Sequence, residues 1–485
     1  MKSTRRDFMK TAALTGVGYW AMAGNASKAQ PLANDKIGLA GFGVGGKGES
    51  DVSSGSRYCD VVVICDVDKN TLAKAQEKYP KAKAFTDYRK AFDEMEESFD
   101  VATVSTADHM HTCISLRAMR AKKHCYTQKP LTRTIYEARK MGQVAKEMGV
   151  CTQMGNQGSG GNGLRAGAAQ VKAGVLGTIK AVHVWSNRPV WAQGPDRRES
   201  LEKYAAQVKK DQPDEAERLI ARQKARLDRD LENLEWDLWL GTAPERPFWP
   251  GIYHSFQWRG WWDFGSGALG DMACHTVNLP YAACDLKFPT SVQAKSSGHD
   301  FDSYPGQSEI KFEFPATDDR PAIEFFWYDG RWLPPQDIIT KYNIPAKPGA
   351  SGALIIGEKG AMFSPDDYGG SWDLIDNDGK KFEPLADDKI TYVRNRDGHD
   401  GEFYRAIREN KPEECFSNFA NYAGPLTETI LLGNLAVWAA SESDQWGEKV
   451  EWDAKNLVVT NLASLKTPGV ADLVKPKYRG DHKLD

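Results

Sequence analysis

Residues 36–46 read Lys36-Ile37-Gly38-Leu39-Ala40-Gly41-Phe42-Gly43-Val44-Gly45-Gly46, and this stretch decides the fold of the chain. A short apolar run with strand character leads directly into glycines at 41, 43 and 46, the spacing G-x-G-x-x-G. In a strand-turn-helix unit one such glycine turns tightly, one lets the backbone approach a pyrophosphate, and one packs helix on strand. The first N–H groups of the following helix are then free to meet phosphates. Taken alone, the run is equally an ordinary glycine-rich turn, and its neighbours must decide.

They favour the dinucleotide cradle. A second strand, Val61 to Ile64, ends at Cys65-Asp66-Val67-Asp68, placing Asp66 25 residues after Gly41. A carboxylate there suits the ribose 2′-hydroxyl of NAD and repels the 2′-phosphate of NADP. Asp68 can share the role, and Lys69 keeps NADP open. A helical stretch Thr71 to Lys78 follows, then strands at Ala82 to Phe85 and Val101 to Ser105. Strands alternating with helices predict an α/β fold on a doubly wound parallel sheet.

A length of 485 residues predicts two domains. Lys plus Arg number 63 against 66 Asp plus Glu, and this balance argues against nucleic acid as a partner. The 15 Trp either stack on sugar rings or fill cores. The eight cysteines form no CxxC pair or zinc-like cluster, so no metal is expected and buried free thiols are. Thr4-Arg5-Arg6-Asp7-Phe8-Met9-Lys10, the mildly apolar run to Ala23 and the small residues around Ala21-Met22-Ala23 and Ser27-Lys28-Ala29 predict a signal peptide over residues 1–30. Arg5-Arg6 with Phe8 resembles the twin-arginine type, which implies a periplasmic or otherwise exported protein. No later run is long and apolar enough to span a bilayer.

Lys123-His124-Cys125-Tyr126-Thr127-Gln128-Lys129-Pro130-Leu131 ends a further strand, and Gly270-Asp271-Met272-Ala273-Cys274-His275 lies on a helical stretch. With the glycine run before them, these segments resemble the glucose-fructose oxidoreductase, inositol dehydrogenase and rhizopine catabolism family (Gfo/Idh/MocA). The likeness runs from residue 35 to about 465 and includes Gly398-His399-Asp400-Gly401-Glu402-Phe403 and Leu431-Leu432-Gly433-Asn434-Leu435-Ala436. The family carries Glu-Lys-Pro, often with a cis proline that shapes the nicotinamide pocket; here it is Gln128-Lys129-Pro130, with the acid lost. Its Asp-x-x-x-His falls on Asp271 and His275, one helical turn apart on one face. A further family Asp is replaced by Asn278.

The resemblance implies Lys129, His275 and Asp271 as catalytic residues. His275, titrating near neutral pH, would be the base. Lys129 would hold the substrate oxygen as an oxyanion donor does. Asp271 would orient His275 or bind a neighbouring hydroxyl, and the Lys and His roles are interchangeable at this point. Gly41, Phe42, Gly43, Gly45, Gly46, Asp66, Thr106, His109, His111, Gln128 and Lys129 are expected around an NAD cofactor. Gln157, Tyr253, Trp258 and Arg259 are candidates for substrate, with Tyr253 and His254 as candidates for a second base.

The expected plan is a Rossmann domain over 31–154, then an α/β domain over 155–465 on a large, mainly antiparallel sheet. Strands there are expected at Ala181–Trp185, Glu309–Phe314, Ala322–Trp327 and Ala353–Ile356. A charged helical insertion at about 196–237 would pack on the second domain or at a subunit contact of a homo-oligomer, and a tail over 466–485 would wrap the surface. The function expected is oxidoreduction of a sugar or polyol alcohol by a held NAD. The alternative is NAD-dependent, redox-neutral cleavage of a glycoside through a 3-keto sugar.

Overall fold

The computed structural model describes residues 37–191, 193, 232–248, 251–318 and 320–484. The expected signal peptide and most of the expected insertion lie outside these residues.

The strands β1 (Gly38–Phe42), β2 (Asp60–Cys65), β3 (Lys83–Phe85), β4 (Val101–Val104), β5 (His124–Thr127) and β6 (Thr152–Met154) form one sheet in the order β3-β2-β1-β4-β5-β6. Every neighbouring pair is parallel. Parallel neighbours need crossovers, and helices supply them, including α1 (Lys47–Gly55), α2 (Asp108–Arg120) and α3 (Ile135–Met148). Helices on both faces explain why β1 and β4 are buried along their whole length and read as apolar runs without alternation. The strand order reverses between β1 and β4, and the carboxyl ends of the strands open a crevice there.

The second sheet is different in kind. The strands β7 (Ile179–Trp185), β8 (Ser291–Ser296), β9 (Ser308–Phe314), β10 (Ile323–Tyr328), β11 (Gly352–Gly357), β12 (Ala361–Ser364), β13 (Asp373–Ile375), β14 (Val450–Asp453) and β15 (Val458–Val459) run in the order β13-β12-β11-β7-β10-β9-β8-β14-β15. Only β7 and β10 pair parallel, so the sheet is mainly antiparallel as expected. Burial along β9 alternates, with Ile310, Phe312 and Phe314 inward. Burying each of these side chains contributes roughly 2 kcal/mol. Outward-facing Lys311 and Glu313 meet Glu324 and Lys449 instead.

Two helices connect the layers. The helix α4 (Gly267–Thr276) is buried at all ten positions, and α5 (Gly424–Trp438) shares one core with it and with β9. A helix enclosed on all sides is expected to be apolar all round. Asp271 and His275 break that rule in α4, and buried polar groups in such a place need a partner or a purpose. All eight cysteines are buried and unpaired.

Candidate active site

A cavity of about 760 Å³ runs along the carboxyl ends of the first sheet and under α4. At one end stands the glycine turn. Gly43 has φ +76°, and a Cβ there would lie 2.7 Å from the Ser105 carbonyl oxygen. The close helix-on-strand contact expected of Gly46 is made by Gly48, whose Cβ would fall 1.9 Å from the Gly43 oxygen. Gly45 and Gly46 face the cavity. Gly41 does not; it lies against Val52 behind the turn. Phe42 offers only its backbone, because its ring stacks on Phe92 at 5.1 Å in the core.

Asp66 ties this turn to β2, accepting from Val44 N at 2.9 Å and Asp68 N at 3.0 Å. Burial pushes its carboxyl up, and those two amides oppose the rise. Asp68 caps the helix Lys69–Lys78 through Asn70 N and Thr71 N and meets His254 Nε2 at 2.9 Å. The cations nearby are already matched. Lys69 pairs with Glu235 at 2.7 Å and Arg89 with Asp87 at 2.9 Å. Carboxyl groups beside neutralised cations at the end of β2 fit the ribose of NAD and disfavour a 2′-phosphate.

The middle of the wall comes from the start of α2. Thr106 lines it, and His111 braces it, its ring nitrogens 2.9 Å from the Pro130 oxygen and 3.0 Å from the Thr106 oxygen. His109 similarly spans the carbonyls of Trp239, at 3.0 Å, and Phe264, at 3.3 Å. Burial lowers His111 to about 4 and His109 to about 3. Both rings are committed to backbone, so their part in any cofactor site is to shape the wall.

The reacting groups gather at the far end of the cavity. Lys129 follows β5 with a cis bond to Pro130, and its Nζ donates to Asp271 at 2.9 Å and to the Asp271 carbonyl at 2.5 Å. Two further cations share the carboxylate, Arg188 Nε at 3.1 Å and Arg259 Nε at 3.2 Å. Burial alone would raise the Asp271 carboxyl, but Lys129, Arg259 and Arg188 outweigh it and hold the group well below the usual carboxylate range. Arg259 is itself sandwiched between Phe256 and Trp258, with ring centroids 4.3 and 4.2 Å from its guanidinium carbon.

Two expectations for this cluster are corrected. Asp271 gathers three cations and makes no hydrogen bond to His275, so it positions Lys129 and the arginines rather than the imidazole. His275 does not titrate near neutrality. Burial, and then the Lys129 charge, keep its pKa far below the ordinary histidine value. It is a neutral imidazole whose Nδ1 is buried without a hydrogen-bond partner, beside the Tyr368 ring at 4.9 Å.

Gln128 lines the cavity as expected, and its Nε2 donates to Asp51 Oδ2 at 2.8 Å. The same oxygen accepts from Ser105 Oγ at 2.8 Å, and Lys47 sits on the other carboxylate oxygen. The acid missing from position 128 therefore stands across from it, on α1.

Of the substrate candidates, Gln157, Trp258 and Arg259 line the cavity. Tyr253 does not. It is 1% exposed within a cluster of Trp236, Trp239, Trp261 and Phe264. His254 is bound to Asp68 at the β2 end and so cannot be a base among the reacting groups. Among the described residues only Trp239 and Trp258 of the tryptophans reach the cavity, and the core takes most of the others.

No sequence signal marks Arg188, which follows β7, or Asp108. Asp108 is buried at the cavity wall, accepts from Ser266 Oγ at 2.6 Å, and is pushed up to about 7 by burial. The described end of the expected insertion, Leu234, bridges to Asp68 and is buried in the cluster of Trp239, Tyr253 and Trp258.

Comparisons with known proteins identify the two domains. Residues 36–156 match the Gfo/Idh/MocA model described as an oxidoreductase family with an NAD-binding Rossmann fold. Residues 220–317 match the model of its C-terminal α/β domain. A glycosyl hydrolase family 109 protein of Solibacter usitatus is 28% identical over 196 residues, which is 37% of this chain and 44% of that relative, so the match spans less than half of it. The WlbA dehydrogenase of Bordetella pertussis, solved with NADH and UDP-GlcNAcA, superposes with TM-score 0.54 at 14% identity, covering 86% of this chain and 100% of that one. An inositol dehydrogenase homologue of Azotobacter vinelandii, solved with NADH and myo-inositol, gives 0.52 at 13% identity over 86% of this chain and 98% of that one. At these identities the two structures speak for the fold.

Proposed function

The chain belongs to the Gfo/Idh/MocA oxidoreductase family with its NAD-binding Rossmann domain, and on that premise we propose that it oxidises or reduces a secondary alcohol of a sugar or polyol. One observation carries the reading: Lys129, Asp271 and His275 meet at the end of the same cavity whose other end is the dinucleotide cradle.

When bound, NAD supplies the hydride acceptor or donor. The protein's own groups do the rest. The neutral His275 imidazole lines the cavity and takes the hydroxyl proton. Lys129, Arg188 and Arg259 are fixed beforehand on Asp271, so they stabilise negative charge growing on the substrate oxygen without reorganising. Arg259 and Gln157 are available to neighbouring hydroxyls or an acidic group, and Trp258 to a ring face.

The partial likeness to a family 109 glycosyl hydrolase supports a second reading, cleavage of a glycoside with no net redox change. Oxidation at C3 would acidify the C2 proton. A base would then remove it as the C1–O bond breaks, water would add, and the ketone would be reduced again. With Tyr253 in the core and His254 bound to Asp68, the groups left for that base include Asp108, Asp367 and Tyr368.

Incubating the purified protein with sugars and aryl glycosides, without added cofactor, separates the readings. A single burst of NADH that halts until a second carbonyl acceptor is added supports the oxidoreductase. Sustained release of the aglycone supports the glycosidase. Neither signal with any substrate class would refute both.

Export belongs to the proposal as well, resting on Arg5-Arg6 and Phe8. Replacing both arginines with lysine is expected to retain the protein in the cytoplasmic fraction, and unchanged fractionation would contradict it. A homo-oligomer is expected, and sedimentation of the purified protein tests it.

A further inference from the structure

We propose that the segment Val470–Leu484 is part of the cofactor site, a strap that closes the adenosine end of the cleft and slows the escape of NAD. The proposal rests on NAD binding by the Rossmann domain and on where this segment is fastened.

It is fastened firmly along its length. Val470, Val474 and Leu484 are buried. Tyr136 N, at the start of α3, donates to the Val474 oxygen at 3.0 Å, and the Tyr478 hydroxyl donates to the Glu137 carboxylate one residue on. The Lys475 ammonium lies 4.5 Å from the centre of the Tyr136 ring, and Arg120, at the end of α2, donates to the Leu484 oxygen. The segment therefore lies across two helices of the Rossmann sheet, far in sequence from both.

Between those anchors, Arg479, Gly480, Asp481 and His482 face the cavity. Arg479 clamps the short helix Trp236–Leu240, which also lines the cavity. Its backbone N donates to the Thr242 oxygen at 3.1 Å, its Nε to the Gly241 oxygen at 3.2 Å, and its terminal nitrogens to Asp237 Oδ1 at 2.6 Å and the Asp237 oxygen at 2.8 Å. His482 reaches Tyr88, just past β3, with Nδ1 3.3 Å from the hydroxyl and near-parallel rings 6.3 Å apart.

The position gives these contacts their meaning. In a doubly wound sheet the acid at the end of the second strand marks the ribose, and the base lies beyond it on the adenosine side. Here that acid is Asp66, and the wall beyond it is Thr86 to Arg89 after β3. The strap supplies the wall opposite. Burial and the nearby Arg89 and Arg479 charges favour a neutral His482 ring, suited to packing against a base. The Arg479 charge is already spent on Asp237 and Arg89's on Asp87, so the strap adds surface without an open phosphate site.

A strap held on both sides of the opening must loosen before the dinucleotide leaves. An oxidoreductase that recycles one bound NAD between substrates would gain directly from such a device.

The test is retention of the cofactor, independent of turnover. The full-length protein is loaded with NADH, and the fluorescence decay on dilution into excess NAD gives the off-rate. The double variant Arg479→Ala/His482→Ala is expected to release NADH at least tenfold faster. Its melting temperature without cofactor should stay close to the parent's, which separates a site effect from general damage. A variant ending at Gly469 should retain less than one NAD per chain after desalting. Off-rates within twofold of the parent in both variants would overturn the strap and leave NAD binding intact. A parent protein that binds no NADH would overturn both.

Discussion

Replacing Gln128 by glutamate restores the residue expected from the family pattern, and in this chain it should do harm. Gln128 Nε2 donates to the Asp51 carboxylate at 2.8 Å in a buried place. The substitution loses that charge-assisted bond, worth about 1.5–3 kcal/mol. It also sets two carboxylates about 3 Å apart, where at an effective dielectric near 20 their repulsion is about 5 kcal/mol. The alternative is for the introduced carboxyl to keep its proton. From an unfolded value near 4.3 this costs about 1.4 kcal/mol per pH unit, so about 2 kcal/mol at pH 5.5 and about 5 at pH 8. Lys47 on the other oxygen of Asp51 offsets part of the repulsion.

The net expectation for Gln128→Glu is a loss of about 4 kcal/mol at pH 8 and about 2 at pH 5.5. The sign follows from the raised folded pKa of the new carboxyl: relative stability is highest below the unfolded pKa and is lost as pH rises toward the folded one. Urea unfolding at the two pH values reads the difference, and adding Asp51→Asn should restore most of it. Equal unfolding midpoints for parent and variant at pH 8, or no rescue by Asp51→Asn, would refute the reasoning.

Asp271→Asn leaves Lys129, Arg188 and Arg259 facing one another, so kcat should fall by about 10²-fold or more and the midpoint of unfolding should drop; activity within twofold of the parent would count against the cluster. Asp66→Ser with Asp68→Arg should weaken NAD and admit NADP, which fluorescence titration of both cofactors measures. Asp108 is pushed up to about 7 from an ordinary value near 3.8, so stability should decline as pH rises from about 4 to about 7 and then level off; Asp108→Asn should flatten that slope in melts across the range. Because His275 stays neutral well below the ordinary histidine range, it should contribute no acid limb near 6.5 to kcat/KM, and a limb near 7 should vanish in Asp108→Asn.

The first sheet was legible because its signals are local. Gly43 must take a positive φ against the Ser105 carbonyl, and the acids after β2 sit where a strand end must place them. Lys129 and the pair in α4 were found through a family pattern, and the cavity brings them together. What escaped the sequence depends on long-range packing. Arg188 follows a strand of the other sheet, and the partner of Gln128 is 77 positions away on α1. His275 reads as a near-neutral base until its burial beside Lys129 is seen, and only burial gives Asp108 its raised carboxyl. Tyr253 adjoins pocket residues in sequence, yet its ring completes an aromatic core. A tail rich in Lys, Pro and Asp shows no sign by itself of reaching across α2 and α3 to the cofactor cleft.

The central claim is that the Lys129–Asp271–His275 end of the cavity and a bound NAD act on one alcohol. Its most direct test is a single turnover: the protein holding one equivalent of NAD is mixed with a panel of polyols, sugars and sugar acids, and the absorbance of NADH is followed. The account predicts close to one equivalent of NADH formed with at least one substrate, and none with that substrate in Lys129→Ala holding the same amount of NAD. Full NADH formation by the variant, or no change in a fully loaded parent with any alcohol on the panel, would contradict it.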